Sequence, residues 1–195
     1  MTEAHSQPVA LKEWAVAIDA LFEGKQILIM RKGGIREETR DFQIESESFY
    51  LYPTYEHQKK QWIKPESQDQ LDVTLEGWSL QDTEVPIRCY AELVEDILIQ
   101  DQEQLDKLGG LHIWTDTFAE ERLKWKKSKP LHVMLLRVYE LLEPLHLPII
   151  PSYIGCKSWI PLDYGALNKA NLRPVLTDEA FEEAVNEVKR ALKGS

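Results

Sequence analysis

The stretch LYPTYEHQKKQW, residues 51–62, sets two tyrosines, a glutamate, a histidine and two lysines around a proline and a threonine. Histidine changes charge near neutral pH. Glu56 and His57 are therefore candidates for general acid/base work, with Tyr55 and Gln58 as hydrogen-bonding neighbours. The same residue types also build a strand-to-helix junction. Thr54 can cap a helix over 55–62, Glu56 then favours its first turn, and Tyr52, Tyr55 and Trp62 pack. Both uses stay open, because this stretch holds more hydrogen-bonding side chains than a cap requires.

Three further sets carry chemistry. Arg31, Arg88 and Arg137 lie in or at the ends of apolar runs, and Lys32 follows the first of them. A buried guanidinium keeps its charge and must meet an anion. That anion is one of the chain's 33 acidic residues or a ligand phosphate or carboxylate. The segment ERLKWKKSK, residues 121–129, brings Arg122, Lys124, Lys126 and Lys127 around Trp125. Such a run can hold phosphates while the indole stacks on a base, and it equally describes the solvated exit of a helix. IGCKSW supplies two nucleophile types, Cys156 and Ser158, without a partner base at a recognisable spacing. The histidines at 5, 57, 112, 132 and 146 show no metal-ligand spacing, so no metal and no cofactor are expected.

The net charge of -10 and pI near 5.0 argue against a generic nucleic-acid coat, while leaving room for a local basic patch. No run of about eighteen apolar residues is present, so no membrane span is expected. The first residues lack the basic start and apolar stretch of a secretory signal. Cys89 and Cys156 read as small, reduced core residues, which fits a cytoplasmic setting.

The elements that must position these groups follow from periodicity. Residues 1–10 read as a flexible tail. Residues 11–195 read as a single α+β domain, or two subdomains meeting near residue 80. The segment 11–22 fits a hairpin arm or a helix, and KQILIMRK fits a strand. SFYLYP is a strand, and residues 35–47 read as a charged surface excursion. LDVTLEGW alternates like a strand, and EVPIRCYAELVEDILI is a strand that bends near Val94. QDQEQLDKL is a short helix stopped by Gly109-Gly110. TFAEERLKWK is a helix with a capping box from Thr117 to Glu120. PLHVMLLRVYEL is the most apolar strand and the expected centre of the sheet. Prolines divide 143–162 into extended pieces. Phe181, Ala184, Val185, Val188 and Leu192 form the buried stripe of a C-terminal amphipathic helix. Strands outnumber helices without strict alternation, which predicts a mixed or mainly antiparallel sheet with a few packed helices.

Taken together, ALKEWAVAIDALFEGKQILIMRKGGI, FYLYPTYEHQ, LHIWT, ERLKWKKSKPLHVMLLRVYEL and GCKSWIPL resemble the bacterial domain-of-unknown-function family 1802 over residues 11–162. The family brings no established activity. The resemblance implies a link to DNA modification or defence systems. WAVAIDALFEGKQILIMRKGG is also similar to the first hairpin of Nudix hydrolases, but REET at 36–39 matches only a fragment of their magnesium-binding helix. Two functional expectations follow. The first is a non-enzymatic accessory domain that binds nucleic acid or a partner protein. The second is a small-molecule or nucleotide enzyme, with Glu56 and His57 as acid/base and an arginine as anion clamp.

Overall fold

The structure is a computed structural model that describes residues 7–32, 42–125, 129–155, 157–163 and 167–194. Its centre is a mixed seven-stranded sheet. The strands are β1 (Val9–Trp14), β2 (Leu28–Arg31), β3 (Ser48–Thr54), β4 (Glu84–Ile99), β5 (Leu131–Pro148), β6 (Trp159–Pro161) and β7 (Leu172–Pro174). They run in the order β2-β5-β4-β3-β1-β6, with β7 beside β5. β1 and β3 are parallel, from Ala10↔Tyr50 to Trp14↔Thr54, and the other ladders are antiparallel. The apolar segment expected at the centre is β5, which is interior, pairing with β2, β4 and β7, but lies one strand in from the β2 edge. β4 shifts register between Leu93 and Glu95, where the bend at Val94 was expected.

Five α-helices are present among the described residues: α1 (Ala15–Phe22), α2 (Gln68–Glu76), α3 (Gln102–Asp106), α4 (Asp116–Lys124) and α5 (Asp178–Lys193). They cover a core built on Leu11, Phe49, Leu51, Leu135 and Trp114. A smaller core of Tyr50, Tyr52, Ile87, Ile160 and Leu162 fills the other side. Phe181 and Val188 of α5 are buried, and Ala184, Val185 and Leu192 are partly so, which is the expected stripe. Thr177 caps this helix by accepting from the Ala180 N–H.

Local readings fail where a distant group takes over. No helix follows Thr54. The hydroxyl of Thr54 donates to the Glu13 carbonyl at 3.1 Å instead of capping, and residues 55–59 form a turn into a short 3-10 segment, Lys60–Trp62. LDVTLEGW is helical, not extended: α2 buries Leu71 and Thr74 and leaves Val73 exposed. Residues 9–22 are neither a pure hairpin arm nor a pure helix, since β1 passes directly into α1 at Trp14. The capping residue of α4 is Thr115, two positions before the expected one. In the charged excursion, 35–41 lie outside the described residues. Phe42 is buried against His132 and Trp159.

Candidate functional site

Three chain segments meet beside the C-terminal end of α4. β1 ends in Lys12-Glu13-Trp14, β2 ends in Arg31 with Lys32 after it, and α4 ends in Arg122-Leu123-Lys124. The guanidinium of Arg31 crosses from β2 to β1. Its Nη1 donates to the Lys12 carbonyl at 3.1 Å and lies 3.5 Å from Glu13 Oε2. Its Nη2 donates to Ser158 Oγ at 2.7 Å. The Arg31 and Glu13 side chains are 15% and 7% exposed, so this pair is largely desolvated. Glu13 Oε1 is held in turn by the Trp14 N–H at 2.7 Å. The Phe42 ring lies under the Arg31 guanidinium at 5.4 Å.

The buried ammonium of Lys32 donates to the Leu123 carbonyl in the last turn of α4. A cation there complements the helix dipole, while burial pushes the Lys32 pKa below its usual value. Arg122 stacks on Phe118 at 5.1 Å. Burial lowers its pKa, repulsion from Arg31 lowers it further, and Glu13 opposes both. Among the described residues no carboxylate forms an ion pair with Arg122. Two guanidiniums, those of Arg31 and Arg122, therefore share one buried carboxylate, Glu13, in a chain of net charge -10. Trp14 and Trp62 pack on Phe118 at 5.1 and 5.6 Å and make an aromatic floor.

Two groups of residues that sequence reading kept apart thus become neighbours: Arg31 with Lys32, and Arg122 with Lys124 and Trp125. Lys124 pairs with Glu120 one turn back, and Trp125 is 42% exposed. Lys126, Lys127 and Cys156 lie outside the described residues. The other candidates sit elsewhere. Glu56 and His57 are exposed on the turn after β3. Gln58 is buried and accepts the Val16 N–H at 2.7 Å, which satisfies the first turn of α1. Tyr55 stacks on Trp78 with ring centroids 5.4 Å apart, and burial, then Asp19, raise its pKa. Arg88 pairs with Asp19 and lies over Phe22. Arg137 donates to Asp178 at 2.7 Å and to the Thr177 carbonyl at 3.2 Å, at the start of α5.

Sequence reading noticed Ser158 only as a possible nucleophile, and it missed Glu13. The signal was available, since Lys12-Glu13 is a charged pair inside an apolar run, as Arg31 is. Lys12 points to the opposite face of the sheet, donating to the Gly155 carbonyl at 3.0 Å above Tyr52. Burial pushes the Cys89 thiol up to about 12, which keeps it protonated and unreactive. No group of three metal-ligating side chains occurs among the described residues.

The family model described as a domain of unknown function (DUF1802) matches residues 10–187. No curated protein matches the chain in sequence. Among solved structures, the chain is similar to ASCH from Zymomonas mobilis. A tyrosine-to-phenylalanine mutant of that protein aligns at TM-score 0.46 and 10% identity, over 93% of this chain and 98% of that one. The unsubstituted protein aligns at TM-score 0.43 and 12% identity, over 92% and 94% of the two chains.

Proposed function

The chain belongs to this domain-of-unknown-function family, and within it we propose a non-enzymatic module that binds single-stranded nucleic acid. Its contact surface is centred on Arg31 and Arg122 and runs along the end of α4 to Lys124 and Trp125. The observation that carries this reading is the guanidinium of Arg122, set beside that of Arg31, without an ion pair of its own among the described residues and sharing the charge of Glu13 with Arg31. A desolvated cation that must share its counter-charge is costly, and a phosphate lowers that cost by bidentate hydrogen bonding. The exposed indole of Trp125, at the end of the helix that carries Arg122, gives a base a face to stack on. Single strands suit this arrangement better than duplex, whose bases are already stacked.

The test is an electrophoretic shift of labelled single-stranded RNA and DNA, with duplex as comparison, at low and moderate salt. The expected result is a single-strand shift that Arg122→Ala and Trp125→Ala each weaken by about tenfold, while His57→Ala leaves it unchanged. Absence of any shift at low salt would remove the nucleic-acid reading.

A further inference from the structure

Strand β4 is paired on both sides over only part of its length. Its β5 side is paired out to Ile99↔Leu131. On the β3 side the ladder covers Glu92, Ala91 and Tyr90, and one further bond, from the Leu93 N–H to the Glu47 carbonyl at 2.7 Å, ends it. Among the described residues no backbone hydrogen bond reaches that edge from 94 to 99. The gap is a groove of about 510 Å³ between residues 44–47 and 93–96. An unpaired strand edge facing a groove is what strand addition by a second polypeptide requires.

The groove has a definite charge. Glu45, Glu47, Glu95 and Asp96 line it. Lys189 pairs with Glu95 at 2.8 Å and His132 Nδ1 lies 2.8 Å from Asp96 Oδ2, so two of the four carboxylates have no ion-pair partner among the described residues. The second oxygen of Asp96 is buried without a hydrogen bond. Val94 and Leu98 on the same strand are 50% and 46% exposed. We propose that the 94–99 edge of β4 is a docking site for an extended basic polypeptide segment, which adds to the sheet as a strand with its cationic side chains against these carboxylates. Proteins commonly blunt open edges with a bulge and with charge, and β4 has both. Those charges turn away another copy of this acidic chain, and they repel nucleic acid. The same charges attract a cationic strand, so the proposal stands independently of the Arg31–Arg122 surface.

The experiment is a fluorescence-anisotropy titration of the full chain with a labelled octapeptide of alternating lysine and valine. A second peptide carries N-methyl groups on alternate residues, which removes the N–H groups of one edge and keeps the charge and side chains. Saturable binding is expected. Both the N-methylated peptide and a Glu45→Lys/Glu47→Lys variant should bind more weakly, by on the order of tenfold, about what the loss of one or two net hydrogen bonds represents. Equal binding of the two peptides would reduce the attraction to charge alone and overturn strand addition. No binding of either peptide would overturn the proposal as well.

Discussion

Two buried side chains show how a charge's surroundings decide its role. Arg137 sits on the interior strand β5 with its side chain 9% exposed, yet its partner Asp178 is 89% exposed. The ion pair by itself therefore contributes little, within the range of about 0–1 kcal/mol for solvent-screened pairs. The packing of the guanidinium over Phe181 at 4.8 Å and its bond to the Thr177 carbonyl contribute the rest. Arg137→Ala should cost about 1–3 kcal/mol in urea denaturation, and Arg137→Lys should recover only part of it, since an ammonium cannot stack or fork in the same way. His112 works through the opposite term. Burial, then the neighbouring Lys64, pushes its imidazole down to about 4. Neither ring nitrogen makes a hydrogen bond of ordinary geometry among the described residues, and a weaker interaction with the Trp114 backbone opposes the shift only in part. The unfolded chain takes up a proton near 6.5 that the folded state refuses. This contribution is thus whole above about 6.5, shrinks as pH falls, and is gone below about 4, a change on the order of 3 kcal/mol. His112→Gln cannot take up that proton. Melting points followed from pH 7 to 4 should fall further for the wild type than for the variant, and parallel curves would refute the assignment.

At the scale of elements, caps and turns separate what is locally encoded from what is not. Thr115 accepts from the Phe118 N–H and begins α4, whereas Thr117 is exposed in its first turn. Thr115→Ala should lower stability by about 1 kcal/mol and Thr117→Ala by much less, measured by thermal or urea unfolding. The reverse order would return the start of the helix to the position read from sequence. The α5 stripe and the β4 bend were legible because apolar periodicity and chain length agree there, and β5 was legible as an interior strand though not as the middle one. α2 was not, because Leu71, Val73 and Leu75 alternate as in a strand while Leu71, Thr74 and Leu75 also satisfy helical spacing. The turn at 55–59 was not, because its conformation is tied to groups some forty residues away, the Glu13 carbonyl and the Val16 N–H. The candidate site was legible in parts. Arg31 stood out as a cation at the end of an apolar run, and Arg122 separately as part of the basic run ERLKWKKSK. Their adjacency depends on where β2 and the end of α4 come to lie, and no spacing along the chain expresses that.

For the molecule as a whole, the proposed binding has to work against its own field. A net charge of -10 repels a polyanion at long range, while Arg31, Arg122 and Lys124 attract one at contact. The two effects differ in reach. Near 0.01 M salt the screening length is about 30 Å and the whole acidic surface is felt; at 0.1 M it is about 10 Å and the local cations dominate. Salt dependence of binding should therefore flatten at the lowest ionic strengths and become linear above about 0.1 M. In the linear range each phosphate contacted in a single strand contributes about 0.7 to the slope of log affinity against log salt, so three contacts give a slope near -2. Arg122→Ala should reduce that slope by about 0.7 as well as weakening the complex. Trp125→Ala should weaken it with the slope unchanged, because stacking releases no counterions. Anisotropy titrations of one oligomer across the salt series separate these outcomes. A slope that Arg122→Ala leaves intact would show that this guanidinium does not meet a phosphate, and the contact surface would then have to be sought away from the end of α4.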